Sequence, residues 1–374
     1  MRVIFACAGT GGHINPAIAI ANNILKHEPD SKFLFIGTKT GLENELVKKA
    51  GYEIKHIRTG KLIRCVTLKN FKAVYETNKG VTEAKIIIKE FKPDLVIGTG
   101  GYICGPVMLA ARIYKIPYIL HESNAFPGIS VKLLARNAAC VMLGFSDAKA
   151  RLKRKDNVVY TGTPSRFARE DIEVLDKEKC KRELGLKNVN KKIVFVTGGS
   201  QGAVKFNNTI LEMVANKLSD DFFVILVAGN NNYDNLITKK ENIEKEKNID
   251  LSRYIKIEKF VFDMKKMYKV ADLCITRAGA MTVTELAIAG KPAILIPLPT
   301  AAENHQLYNA KVLSDAHAGI IIEQKDLTFD LLFEKINYML DDKILNIMKK
   351  NASKLLINGV DNNIYKCITD VVKK

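Results

Sequence analysis

The chain has 374 residues, 47% of them hydrophobic, which is ample for packed cores and a length more natural for two domains than for one. Lys and Arg number 58 against 40 Asp and Glu, and the net charge of +18 points to an anionic partner: nucleic acid, a membrane surface or a charged substrate. No apolar run reaches the length of a membrane-spanning helix, and the N-terminal run "VIFACA" passes straight into glycines, unlike a signal peptide.

The charge is uneven. Residues 1–163 carry 25 basic and 12 acidic side chains, whereas residues 164–374 carry 33 and 28. The seven cysteines, at 7, 65, 104, 140, 180, 274 and 367, lie singly and without a C-x-x-C pair. They read as reduced, mostly buried thiols of a cytoplasmic protein.

In chain order, "RVIFACAGTGGH" opens with a buried-type strand that meets glycines and then a helix over 14–27. A strand at 33–37 and a helix over 41–50 follow. "DLVIGTGGYICGP" (94–106) repeats the strand–glycine–helix theme, and strands follow at 118–120 and 140–143. "YTGTPSRF" (160–167) ends a strand in Gly, Thr and Pro and is the best domain boundary. "KKIVFVTGGSQGA" (191–203) starts the pattern again, with a helix over 204–218 and strands at 222–229 and 255–260. "DLCITRAGAMTVTE" (272–285) is a fourth instance, followed by a strand at 292–297 and a helix over 303–314. The last stretch, about 343–373, reads as helix that packs on a domain surface or crosses back to the first half. The whole predicts two α/β domains in tandem, each around a parallel sheet.

In such domains ligands bind at the carboxyl ends of the strands, where glycine-rich loops expose N–H groups and helices present their positive ends. "TGGSQGA" and "RAGAMTVTE" suit a nucleotide diphosphate, with Ser200 a hydroxyl donor to phosphate. Glu285 is placed either to accept two hydrogen bonds from a ribose diol or to act as a first-turn glutamate favoured by the helix dipole. Glu303, Asn304, His305, Gln306 and Asn309 read either as sugar-hydroxyl ligands or as a solvated helix start. His13, between glycines and a helix, is either a neutral general base or a structural histidine bonded to backbone. "HESNAFPG" (121–128) offers Asn124 and Glu122.

Several nucleotide classes are excluded. There is no G-x-x-x-x-G-K-[ST], and "GTGGHI" breaks G-x-G-x-x-G at its last glycine. No Asp-x-Asp or H-E-x-x-H occurs, so a metal-clamped diphosphate has no evident ligand pair. The charge of a leaving diphosphate then falls to helix ends and backbone donors.

The motifs "GTGGHINPA", "GTGGYICGP", "HESNAFPG", "GTPSR", "TGGSQGA", "RAGAMTVTE" and "TAAENHQ" occur in the order and spacing of one family. Along essentially its whole length the sequence resembles the MurG family of bacterial cell-wall enzymes, the UDP-N-acetylglucosamine–N-acetylmuramyl-(pentapeptide) pyrophosphoryl-undecaprenol N-acetylglucosamine transferases. That resemblance implies a GT-B fold, two Rossmann-like domains with parallel sheets facing across a cleft. Residues 1–163 would form the acceptor-binding, membrane-associating domain and 164–342 the UDP-sugar-binding domain, with the helix of about 343–374 returning to the first. The implied reaction moves N-acetylglucosamine from its UDP donor to the 4-hydroxyl of the muramyl-pentapeptide of lipid I, making lipid II with inversion. The implied partners are UDP-N-acetylglucosamine, lipid I, the anionic inner leaflet of the cell membrane and cell-wall synthesis proteins, with no nucleic acid and no cofactor or metal.

By motif, the resemblance puts Thr10, Gly11 and Gly12 along the donor diphosphate and sugar, with His13 the base and Asn124 on the sugar. Arg166 and Ser200 would face the phosphates or nucleotide, and Val261, in "KFVFDM", would read the uracil edge through its backbone. Ala280, Met281, Thr282, Val283, Thr284 and Glu285 would wrap the diphosphate and ribose, with Glu285 on the ribose hydroxyls. Gln306 would hold the sugar. Some members have two adjacent glutamines where this chain has His305 and Gln306, which makes His305 a second histidine candidate near the donor.

Residues 55–92 carry ten Lys and Arg against three Glu, and Leu68, Phe71 and Tyr75 recur at helical spacing beside Lys69, Lys72 and Lys79. By itself this suits an apolar stripe turned to the core with lysines in water; the lipid substrate that the resemblance implies favours instead a basic helix lying on lipid at the cytoplasmic face of the membrane. The rival readings are an enzyme like UDP-N-acetylglucosamine 2-epimerase, which needs no lipid acceptor, and a non-catalytic basic binding protein.

Overall fold

The computed structural model describes residues 1–60, 68–186, 189–199 and 203–373, with 68–72 described by backbone alone. The chain divides into two compact units, Met1–Arg166 with Ile357–Lys374, and Phe167–Leu356.

The first unit is built on a parallel sheet of strands β1 (Arg2–Cys7), β2 (Lys32–Gly37), β3 (Ile54–His56), β4 (Leu95–Gly100), β5 (Tyr118–Glu122), β6 (Cys140–Leu143) and β7 (Val158–Tyr160). Their order is β3-β2-β1-β4-β5-β6-β7. Helices lie on both faces, so the central strands are buried on both sides and read as continuous apolar runs rather than alternating ones. One core gathers Ile4, Ile36, Val96 and Leu120; the other gathers Phe5, Phe35, Ile97 and Ile119.

The second unit repeats the plan with β8 (Lys192–Thr197), β9 (Phe222–Val227), β10 (Ile255–Glu258), β11 (Leu273–Thr276), β12 (Ala293–Leu295) and β13 (Gly319–Ile321), again all parallel. The order is β10-β9-β8-β11-β12-β13. In both units the chain winds outward to one edge, returns to the middle and winds to the other edge. The switch points, the places where doubly wound sheets bind their ligands, lie between β1 and β4 and between β8 and β11. Those four strands carry the four glycine-rich motifs.

Two expectations are corrected. The opening helix runs Gly11–His27 rather than from residue 14, so both glycines belong to its first turn. The C-terminal stretch is two helices that go to different units. Asp342–Lys354 buries Leu345, Met348 and Ala352 in the second unit. Val360–Val372 buries Ile364, Cys367 and Ile368 in the first, and its Tyr365 hydroxyl donates to Glu28 at 2.9 Å. The break is the Asn358–Gly359 turn, where Gly359 takes φ +66°.

Candidate active site

In the first unit, β1 is followed by Ala8, Gly9 and Thr10, and Gly9 has φ +99°. The helix Gly11–His27 starts there, and its first intrahelical bonds run from the His13 and Ile14 N–H groups to the Thr10 carbonyl. The Gly11 and Gly12 N–H groups precede those bonds and form the positive helix end. The β1–β4 register shifts between Ala6 and Cys7, beside this loop.

His13 is partly exposed. Its Nδ1 lies 3.0 Å from the Ala8 carbonyl oxygen. A carbonyl only accepts, so Nδ1 carries the hydrogen and Nε2 of the neutral ring is the acceptor. The loop after β4 completes its surroundings. The Thr99 hydroxyl donates to the His13 carbonyl at 2.7 Å. Gly100, at φ +124°, lies against the imidazole, and a Cβ there would stand 2.8 Å from Nε2. "GTGGY" thus leaves the room that the histidine of "GTGGH" occupies.

The motif histidine after β5 behaves differently. His121 is fully buried, and burial pushes its pKa down to about 4, so it is neutral. The expected offer of Glu122 toward a ligand is corrected. Glu122 is buried and accepts from the Asn124 backbone N–H and side-chain amide, each at 2.9 Å, and from the Gly128 N–H at 2.8 Å. It shapes its own loop and sets the orientation of Asn124. Arg166 is exposed at the last residue of this unit.

In the second unit, Thr197 ends β8 and its hydroxyl accepts from the Gly199 N–H at 3.3 Å, with Gly199 at φ +89°. Ser200 lies outside the described residues. After β11 the helix Ala280–Ala289 begins at Gly279. Val283 packs into the core and its N–H bonds the Gly279 carbonyl at 3.0 Å. The open N–H groups of this turn are therefore those of Ala280, Met281 and Thr282, a ten-residue helix's positive end. Thr284 is partly exposed one residue before Glu285.

Glu285 is 4% exposed, and the Tyr268 hydroxyl donates to its Oε2 at 3.0 Å. Tyr268 sits on the helix Met264–Val270, which follows the loop that carries Val261. Val261 is half-buried between two exposed rings, Phe260 and Phe262, whose centroids are 4.9 Å apart.

The segment before the helix His305–Asp315 holds Glu303 and Asn304 in the left-handed region, both at φ 55°. Two such residues in a row carry strain of the kind that collects at ligand sites, about 1–3 kcal/mol each. His305 Nδ1 donates to the Ala302 carbonyl at 2.7 Å. The Gln306 side-chain oxygen accepts from the Leu298 N–H at 2.9 Å, which turns its amide N–H groups away from the backbone. Asn309 is corrected as a sugar reader: it is fully buried, and its amide donates to the Ala278 carbonyl at 3.1 Å. The helical repeat puts it on the face of Ala310 and Leu313, where it braces the loop before Ala280.

Tyr268 and Glu43, the latter bonded to Gly9, were not singled out in the sequence. Both lie outside the glycine motifs, and only tertiary hydrogen bonds reveal them. Among the described residues no group of three or more His, Cys, Asp or Glu is arranged to hold a metal ion, and no helix is long and apolar enough to cross a membrane.

Comparison with known proteins matches residues 3–143 to the glycosyltransferase family 28 N-terminal domain and residues 193–362 to the glycosyltransferase family 28 C-terminal domain. The UDP-N-acetylglucosamine–N-acetylmuramyl-(pentapeptide) pyrophosphoryl-undecaprenol N-acetylglucosamine transferase of Thermoanaerobacter sp. (strain X514) is 42% identical over 99% of this chain and 100% of its own length. The protein of the same name from Acetivibrio thermocellus is 42% identical over 100% and 99%. The crystal structure of Acinetobacter baumannii MurG superposes with a TM-score of 0.79 at 28% identity, covering 99% of both chains. UDP-GlcNAc 2-epimerase from Neisseria meningitidis, bound to UDP-GlcNAc, gives 0.66 at 15% identity over 100% of both chains, a likeness of fold alone.

Proposed function

This chain belongs to glycosyltransferase family 28, and on that premise we propose that it transfers N-acetylglucosamine from UDP-N-acetylglucosamine to the 4-hydroxyl of the muramyl-pentapeptide of lipid I. Its fold is GT-B, the fold of the MurG structure it superposes on. The observation that carries the chemistry is His13 at a glycine-rich helix start, its tautomer set by the Ala8 carbonyl; the second unit, taken by itself, combines an open helix end and a buried carboxylate.

The reaction is a single displacement. The acceptor hydroxyl gives its proton to His13 Nε2 while its oxygen attacks the anomeric carbon. The bond from that carbon to the diphosphate breaks, its electron pair leaves with UDP, and the configuration inverts. His13 does this work because Nδ1–H is held by Ala8, which keeps Nε2 in the accepting form. The diphosphate charge is met by the N–H groups of Ala280 to Thr282, with Gly11, Gly12 and Thr10 lining the donor from the first unit and Ser200 and Arg166 on the phosphates or nucleotide. Glu285 takes the ribose hydroxyls and the Val261 backbone the uracil edge. Gln306 and Asn124 hold the sugar hydroxyls.

The first unit also meets the lipid. On the helix Leu68–Phe91, Val74 and Tyr75 are 50% and 55% exposed, and Lys79 lies 4.2 Å over the Tyr75 ring. Leu68, Phe71, Lys69 and Lys72 have no described side chains. A basic face with exposed aromatic and aliphatic groups suits peripheral attachment to an anionic leaflet, on the cytoplasmic face.

The test is a donor and acceptor screen. UDP-N-acetylglucosamine with a lipid I analogue should yield UDP and a β-linked disaccharide. Conversion of the donor to its 2-epimer without acceptor would reverse the assignment. Sedimentation with phosphatidylglycerol vesicles, but not with phosphatidylcholine vesicles, tests the membrane face.

A further inference from the structure

Glu43 opens the helix Glu43–Lys49 and is fully buried. Its Oε1 accepts from the Thr38 N–H at 2.8 Å and the Thr38 hydroxyl at 2.6 Å. Its Oε2 accepts from the Gly9 N–H at 3.2 Å. Gly37 and Gly41 make room for it: a Cβ at Gly37 would stand 2.6 Å from Glu43 Cγ, and one at Gly41 would overlap the carboxylate.

The Gly9 N–H and the Ala8 carbonyl belong to one peptide group. That carbonyl is the acceptor for His13 Nδ1 at 3.0 Å. A trans peptide points its N–H and C=O in opposite directions, so carboxylate, peptide and imidazole follow one another in a line. Gly101 keeps the approach open, because a Cβ there would lie 2.5 Å from the Ala8 oxygen.

We infer that Glu43 is a positioning residue for His13, acting through the Ala8–Gly9 peptide group. The carboxylate polarises that peptide and makes the Ala8 oxygen a stronger acceptor. The oxygen then holds Nδ1–H and favours the imidazolium that forms when Nε2 takes the acceptor's proton. Glu43 gains no proton in the step. Burial would raise its pKa, but the Thr38 hydroxyl and the N–H groups of Thr38, Glu43 and Gly9 outweigh this and hold it below the usual carboxylate range. The other titratable groups around the loop are the Cys7 and Cys104 thiols, which burial keeps protonated, and Glu122, which is bonded within its own loop. A residue serving only to pin the Thr38 loop would not need Gly9, which belongs to a different strand's loop.

The inference rests on His13 being the base, and the test separates the two. Full-length wild type, Glu43→Gln, Thr38→Val and His13→Ala are assayed for kcat and KM across pH, with side-chain nitrogen NMR of His13. Glu43→Gln should lower kcat about tenfold or more and leave the KM for UDP-N-acetylglucosamine within about twofold. Loss of the negative charge disfavours the imidazolium, so the acidic limb of its kcat–pH profile should move to lower pH, and the Nδ1–H signal should weaken. Thr38→Val keeps the charge but removes a hydrogen bond that fixes the carboxylate against Gly9, so through lost positioning it should show the same changes to a smaller extent; it serves as the test if Glu43→Gln does not fold. A wild-type kcat in these variants, or a lowered kcat with the pH limb and His13 signals unmoved, overturns the relay. Inactive His13→Ala beside a fully active Glu43→Gln removes the relay alone, whereas active His13→Ala removes the base reading and the relay with it.

Discussion

Tyr268 donates its phenolic hydrogen to Glu285 at 3.0 Å, and both side chains are buried. The Tyr268 ring is packed edge-on against Phe195 at 6.1 Å, so the hydroxyl is fixed and the carboxylate has one orientation. Tyr268→Phe removes one hydrogen bond to a charged group, a loss of about 1.5–3 kcal/mol at most. The expected result is a donor KM raised about tenfold with kcat kept. Calorimetry should show weaker UDP binding together with reduced discrimination against 2′-deoxy-UDP. Unchanged discrimination would detach Glu285 from the ribose.

Gly100 is constrained twice, by φ +124° and by the imidazole against it. Gly100→Ala must strain the backbone or displace His13. Turnover should fall at least about a hundredfold, with stability lower by about 1–3 kcal/mol. Donor affinity should hold. Stopped turnover with intact UDP binding would locate the damage at the base, while full activity would show that the imidazole position is not critical.

Lys291 gives the second unit a pH signature. Burial lowers its pKa from 10.5 to about 8, and its ammonium donates to the Ala271 carbonyl at 2.7 Å. Between those values the unfolded chain binds more protons than the folded one, so this group makes stability rise with pH across the window. Relative to Lys291→Met, the wild type should gain about 1–3 kcal/mol on going from pH 8 to pH 10.5. Urea denaturation at several pH values measures it. A flat difference would show that the ammonium is solvated in the folded state.

The doubly wound plan was legible because strands buried on both faces are continuous apolar runs, and each glycine loop ends such a run. β3 and β13 were not legible: each is three residues long at or near a sheet edge, too short for a periodic signal. The tail was read as helix, but which unit it joins depends on where its apolar faces find partners. Ile364 and Ile368 meet the first unit's core, and Leu345 and Met348 the second's, and nothing local distinguishes them. At the site, the loops announced themselves through Gly and His. The roles of Glu122 and Asn309 could not be read, because a carboxylate or amide that binds its own backbone looks, in sequence, like one that binds a ligand. Ile364→Ala should accordingly destabilise the first unit by about 2–4 kcal/mol, measured by thermal melting, although it lies far from every motif; no loss would mean the tail helix is a loose appendage.

The most direct measurement is transfer of labelled N-acetylglucosamine from its UDP donor to a lipid I analogue in EDTA, for wild type and His13→Ala. Helix ends and backbone donors, rather than a bound metal, carry the diphosphate charge in this account. It therefore predicts robust wild-type transfer in EDTA, and in the variant a collapse of turnover with UDP binding largely kept. No wild-type transfer to a competent acceptor, or undiminished transfer by His13→Ala, would contradict it.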